Sequence, residues 1–498
     1  MEVRYREYNP EQTYFTLIDP EEIKAHNPLL LAIHSFIEEH VSVESFSEKV
    51  RNTAGGAPAV YPKMMLKILF YSYAKGIYFS REIEDRLKWD PHYIYLGANQ
   101  KVDHSTICNF ILQYQEEIKE IFSKLVYVMA KLGYVTLDFV AVDGTKIKAH
   151  AGKKFTGNVA EFERRRKGIE KRIEEIIQHT TEEKMSDKYR NRKLNKLGAL
   201  RREKEKIESF LKEVGEKENK RESSSGEKVA RGKVSLTDRD AVMVKDKDTK
   251  YMGYNCQIAV DEKAHVIVGT EVFNQAGERH LLKPMIEELR KQISRHRIRA
   301  GQNLNDTEMG FDSGYFSSDN LRYCDENGMT VYLPEGKGEG GSKQRKSERI
   351  GSRDCKLELV GKSRRLTCPG GQVMETTEAK KYGGHYYYRF YPEKERCRSC
   401  SLMDKCYKHI KGGKRFSVKK EYFDTLYIRE QMNARLSSQK GKLRMADRSC
   451  IIEHVFGEIK DIFKFRRFLH RSLKKVELIW NLICIAYNFR KMARLAYG

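Results

Sequence analysis

The hydrophobic period of this chain changes repeatedly between residues 131 and 275, and that alternation limits the fold more than any other feature. Helical spacing runs through "NPLLLAIHSFIEEHV" and, more densely, from 62 to 125. "PKMMLKILFYSYAKG" opens with Pro62 in its first turn and stops near Gly76, while Ser80 and Ser105 are the predicted caps of the next two helices. Residues 134–148 then read as strand, 158–222 as a charged helical hairpin, and 250–273 as two strands joined by a turn at Asp261–Ala264. Strand pattern resumes after the hairpin, so the hairpin is an insertion, and "SSSGEK" at 223–228 is the linker out of it. The prediction is an α/β fold with an all-α N-terminal part.

Two acids stand where strands should run out into loops. In "FVAVDGTKIKAH" the apolar run Phe139–Val142 ends at Asp143, and in "MGFDSGYF" Asp312 follows Phe311. Ligands of open α/β sheets gather at the carboxyl ends of strands, and two carboxylates there can share a hard divalent ion. Each Asp beside its Gly can equally be a turn former. If residues 448–468 are one helix, Ile452, Val455, Phe456, Ile459 and Phe463 make an apolar stripe. Glu453 and Lys460 then share a flank of that stripe, and Glu458 points to solvent. Three carboxylates holding two ions suit phosphodiester chemistry, in which one ion sharpens the nucleophile and the other stabilises the leaving oxygen.

A formal charge of +24 and a pI near 9.4 point to a polyanionic partner, most often nucleic acid. Lys146 and Lys148 after Asp143, and "KFRRFLHRSLKK" with Arg466 and Arg467, are candidate phosphate contacts. "MEVRYREYNPEQ" lacks the apolar core of a signal peptide, and "VELIWNLICIAYNF" falls short of a membrane span, so a cytoplasmic protein is expected. There, the set Cys368, Cys397, Cys400 and Cys406 suits a closed tetrahedral zinc site; free thiols or an iron–sulfur cluster are the alternatives.

"AVDGTKIKA", "GYNCQIAVDEKAHVIVGTEV", "FDSGYFS" and "IIEHVFGEIK", in this order, resemble bacterial insertion-sequence transposases of the DDE type. "YPKMMLKILFYSYAKGIYFSREIE" and "DHSTICNF" resemble the helical N-terminal domain of the same group, so the likeness runs from about residue 60 to 490. The resemblance implies an RNase H-like core, Mg²⁺ catalysis with Mn²⁺ able to substitute, and cutting and joining of the element's DNA ends. By motif it gives the catalytic roles to Asp143, Asp312 and Glu453. Lys460 matches the Lys of the family's Tyr-Arg-Glu-Lys signature; Ser449 stands where the Arg is expected, with Arg448 one residue earlier, and the Tyr has no clear counterpart.

The predicted organisation is a helical DNA-binding or dimerisation domain at 1–130, a catalytic core begun at 131–340 with the hairpin insertion at 158–225, a Cys-rich zinc-binding insertion at 341–425, and core helices at 426–498. Partners are terminal inverted repeats and target DNA, with a homodimer as the assembly. The rival readings are a nuclease of the same core without joining activity and a non-catalytic DNA-binding copy.

Overall fold

The computed structural model describes residues 19–497 apart from 51–58, 183–186, 223–231, 247–248, 297–303, 337–349 and 407–413. The linker read at 223–228 and the polar start at 1–12 lie outside the described residues. The longer helices of the N-terminal part are α1 (Pro28–His40), α2 (Pro62–Ala74), α3 (Ser80–Trp89), α4 (His104–Gln113) and α5 (Gln115–Lys131). Pro28 and Pro62 occupy first turns, where a missing N–H leaves nothing unsatisfied. Gly76, at φ +76°, turns the chain out of α2 as the sequence predicts.

The predicted caps are corrected by one or two residues. Asp103, not Ser105, caps α4, its carboxylate accepting from the Ser105 and Thr106 amides. An ionised acceptor is the better partner for those amides. Ser80 is the first residue of α3, behind Phe79, and its hydroxyl accepts from the Cys108 thiol.

The central sheet comprises β1 (Phe139–Lys148), β2 (Val242–Asp246), β3 (Thr249–Asp261), β4 (Ile267–Phe273), β5 (Glu308–Gly310) and β6 (Val331–Tyr332). On one edge β3 pairs antiparallel with β1; on the other it takes β2 at its start and β4 at its end. β5 lies parallel to β1, and β6 parallel to β5. Between β1 and β2 rise α6 (Val159–Glu182) and α7 (Asp187–Glu222), which carry a small core of their own made by Phe162, Ile169, Ile207 and Phe210. The Phe162 ring meets Phe210 edge-on, so the start of one helix packs near the end of the other, as in an antiparallel hairpin.

After β4 comes α8 (Leu282–His296), and after the Cys-rich segment α9 (Leu426–Ser437), α10 (Gln439–Gly457) and α11 (Leu473–Ala496). α11 is buried from Val476 to Phe489 apart from Glu477 and packs on β4, α1, α2 and α5. The helical N-terminal part and the sheet therefore share one hydrophobic core. The Cys-rich segment folds as short antiparallel strands, β7 (Lys356–Val360), β8 (Ser363–Thr367), β9 (Val373–Thr376), β10 (Ala379–Tyr382), β11 (His385–Phe390) and β12 (Phe416–Lys419). Leu366, Met374, Tyr388, Phe390, Phe416 and Phe423 are buried together within it.

Candidate active site

Asp143 lies in the middle of β1, opposite Ile258 of β3, rather than at the strand's end. The strand runs on because β3 continues to pair with it, whereas β5 accompanies it only as far as Ala141. Between Ala141 and Lys148, where Arg467 forms a parallel bridge, that edge of β1 is open, and Arg448 of α10 reaches into it. Its guanidinium donates to the Val142 carbonyl at 3.3 Å and sits 2.8 Å from the Asp143 carboxylate.

Asp312 follows β5 and caps a single 3₁₀ turn, accepting from the Gly314 amide at 2.7 Å. Glu278 comes from the loop between β4 and α8. One carboxylate oxygen from each of Asp143, Glu278 and Asp312 lies within 4.8 Å of the others, the only such cluster of acid, His or Cys ligands among the described residues. Two glycines leave room here, Gly144 for the Gln257 side chain behind Asp143 and Gly314 for the carboxylate of Glu278. A Cβ at Gly144 would stand 1.8 Å from the Gln257 amide nitrogen, and one at Gly314 would stand 2.4 Å from a Glu278 oxygen.

The electrostatics are those of a cation site. Burial pushes the Asp143 carboxyl up to about 6; Arg448 pulls it down, and Asp312 pushes it further up. Lys146 binds Glu278 at 2.5 Å. Three half-buried carboxylates, with Arg448 beside Asp143 and Lys146 beside Glu278, are a hard-oxygen donor set that fits Mg²⁺ or Mn²⁺.

Glu453 stands elsewhere. It is exposed on α10, about 140° around the helix from Arg448, and does not belong to the three-carboxylate group. The projection from sequence also misplaces Glu458, which is 3% exposed and paired with Arg490 at 3.1 Å and Arg494 at 3.3 Å. α10 turns its Arg448, Ile451 and Val455 face inward and gives way to a π turn at Glu458–Ile462. Arginines of α11 waiting behind that turn make the burial of Glu458 tolerable.

Glu278 is the residue the sequence reading missed. β4 is antiparallel to β3, which is antiparallel to β1, so β4 runs parallel to β1 and β5. Glu278 therefore follows the same edge of the sheet that picks out Asp312. The signal was available: an acid beside a Gly, in "NQAGERH", after a predicted strand.

The candidate phosphate contacts divide. Lys148, Arg466 and Arg467 are exposed; Arg467 lies 3.3 Å from His150, and Arg466 pairs with Asp461. Lys146 and Arg448 point into the acid cluster instead, which their opposite charge explains. Lys460 is half-buried in the π turn, over the Phe456 ring.

Cys368, Cys397, Cys400 and Cys406 line one cavity of about 20 Å³. A Cβ at Gly370 would stand 2.8 Å from the Cys400 sulfur and 3.7 Å from that of Cys368. Burial raises the Cys397 and Cys406 thiols, and the neighbouring thiols add to it. Their sulfurs are spread more widely than the carboxylates above. The donor chemistry is that of a structural zinc site.

Two families match the chain: the transposase domain DUF772 over residues 19–113 and the transposase DDE domain over residues 367–493. Asp143, Glu278 and Asp312 all lie between the two matches. Neither a comparison with curated proteins nor one with solved structures finds a match. Among the described residues no helix is long and apolar enough to cross a membrane.

Proposed function

Because the chain belongs to the insertion-sequence transposases of the DDE type, we propose that it binds the ends of its element and catalyses strand cleavage and strand transfer at Asp143, Asp312 and Glu278. The observation that carries this reading is the convergence of three carboxylates at one edge of the sheet. An RNase H-like core is the fold assignment that goes with it. It is supported by the strand order β4-β3-β1-β5-β6 with β3 alone running against the others.

Two Mg²⁺ or Mn²⁺ ions, when bound, supply Lewis-acid activation of a water or 3′-hydroxyl and of the leaving oxygen. The chain's own part is positioning and charge. Asp143 is fixed on a central strand, and Asp312 and Glu278 on loops anchored by short hydrogen bonds. Arg448 keeps Asp143 ionisable in a half-buried place, and Lys146 pairs with the Glu278 carboxylate and fixes its position. Lys148, Arg466 and Arg467 hold the DNA backbone that the acids alone would repel. The cysteine set holds zinc and staples the small core beside it, in a chain that works as a homodimer.

The test uses the full chain and a plasmid carrying the inverted repeats that flank the gene. Strand cleavage and joining of a pre-cut end are scored separately, so a nuclease without joining activity is distinguished. Asp143→Asn and Asp312→Asn should abolish both. Cleavage by Asp143→Asn at the wild-type rate would place the chemistry elsewhere or remove it. Glu278→Gln and Glu453→Gln, run side by side, decide the third ligand. Loss only in Glu453→Gln returns that role to the residue the family motif names.

A further inference from the structure

The Cys-rich segment leaves and rejoins the sheet beside the Asp312 loop. A Cβ at Gly336, on the outgoing side, would stand 3.4 Å from the Ser313 carbonyl oxygen. On the returning side, Arg429 of α9 donates to the Ser318 hydroxyl and to the Glu335 carboxylate, each at 2.8 Å. Whatever this segment carries is thus rooted next to the acid cluster.

What it carries is the β10–β11 hairpin, "AKKYGGHYYYRF", which contains three Lys or Arg, one His, four Tyr and no acid. Gly383 and Gly384 have φ +55° and +85°, the two left-handed residues of a tight hairpin turn. The root is fixed: Tyr388 and Phe390 are buried and their rings pack on Phe423. The tip is not covered. Tyr382 is 70% exposed and Tyr386 50% exposed. Each ring has a cation over it, Arg389 at 5.5 Å from Tyr382 and Lys381 at 6.0 Å from Tyr386. Glu421 lies 3.9 Å from His385, and Glu375, Glu378 and Glu393 line the cleft on the Lys380 and Arg389 side, away from the Tyr386 tip.

Rings of this size usually bury their apolar bodies. Held in water, each with a cation over its face, they suit a polyanion that offers flat apolar faces. A DNA duplex hides its base faces within the stack, whereas unpaired bases expose them and stack on aromatic side chains. We propose that the β10–β11 hairpin binds DNA where the strands are separated next to the scissile position, with Tyr382 and Tyr386 stacking on unpaired bases and Lys380, Lys381 and Arg389 on the flanking phosphates. This rests on the reading of the chain as a DNA-cutting transposase.

The experiment is fluorescence anisotropy with the full chain, a blunt duplex, and the same duplex opened at one end into a non-complementary fork. Wild type should prefer the fork. Tyr382→Ala/Tyr386→Ala should weaken fork binding by about tenfold or more and leave the blunt duplex within about twofold. Tyr382→Phe/Tyr386→Phe should keep the preference. Lys380→Ala/Lys381→Ala/Arg389→Ala should weaken both DNAs alike and lower the slope of log K against log salt by about two to three. No fork preference in wild type, a preference unchanged by the alanine pair, or an equal loss on both DNAs overturns the inference. Cleavage in Mg²⁺ with the Asp143→Asn control is scored apart. Cleavage that depends on Asp143 beside an inert hairpin sinks the hairpin alone; a tyrosine-dependent fork preference without cleavage sinks the catalytic reading alone.

Discussion

Arg448 reaches from α10 across the open edge of β1 and sets its guanidinium 2.8 Å from the Asp143 carboxylate. The two act against each other's surroundings. Burial lifts Asp143 to about 6, and Arg448 is the main force holding it down. An aspartate must be ionised to hold a cation, so divalent affinity should rise as pH climbs through about 6 and level off above it. The same raised value means the metal-free fold loses stability over that rise, from the ordinary 3.8 upward, and a bound cation restores it. Arg448→Met should move the midpoint of Mn²⁺ binding upward by about a pH unit. Calorimetric titrations from acid to neutral pH measure this; a midpoint that stays in place would refute the pairing's role.

Glu458 anchors the π turn against α11 through Arg490 and Arg494. Replacing it by Gln leaves two arginines, Arg490 part-buried and Arg494 exposed, without their counter-charge, and a neutral amide where the buried carboxylate stood. The expected loss is ~1–2 kcal/mol of unfolding free energy, since the arginines left behind are partly solvated. Glu453→Gln, on the exposed side of the same helix, should cost under ~0.5 kcal/mol. Urea denaturation of the two variants compares them directly. Equal costs would mean that the inward face of α10 is wrongly assigned.

What could be read from the sequence, and what could not, follows from the range of each interaction. The strands around Asp143 and Asp312 carry their own periodic signal, so the strand that bears Asp143 and the one that precedes Asp312 are legible in the sequence. The hairpin at 159–222 was equally plain, because its pattern is local. Glu458 is buried against the projection, and Glu453 is exposed, because helical projection assumes a centre for the buried face. That centre is set by Arg490 and Arg494 in α11, and by Arg448 reaching Asp143, none of which a projection of 448–468 contains. Glu278 has no strand of its own; its place depends on β4 running parallel to β1, a fact of sheet topology. The strand reading of 134–148 reaches the end of β1, but the place of Asp143 within it depends on β3, which pairs with the strand past Asp143.

Glu271 of β4 faces Glu288 of α8 and Glu477 of α11 across a cleft that also holds Lys119 and Lys291. Burial first, then the two glutamates, raise it to about 7. Its folded value lies above the ordinary 4.5, so the stability it contributes is complete below that pH and is lost as pH rises through about 7. Glu271→Gln should therefore match wild type in acid and exceed it by ~1–3 kcal/mol at pH 8. Urea midpoints at several pH values test the sign; a difference that does not grow with pH would exclude this account.

Gly314 controls how near Glu278 can come to Asp312. A Cβ there would lie 2.4 Å from one Glu278 oxygen and 2.9 Å from an Asp312 oxygen. Neither side chain can yield without opening the acid cluster, and Glu278 is already held by Lys146. The loop is exposed at Gly314, so the backbone itself has room. Gly314→Ala should leave global stability within ~1 kcal/mol of wild type. Divalent binding should weaken by about tenfold or more, since carboxylates spread beyond one ion's reach cannot share it. Mn²⁺ titration beside a thermal melt separates the two effects. Full affinity in the alanine variant would show that Glu278 is not a ligand, and the third carboxylate would have to be sought on α10.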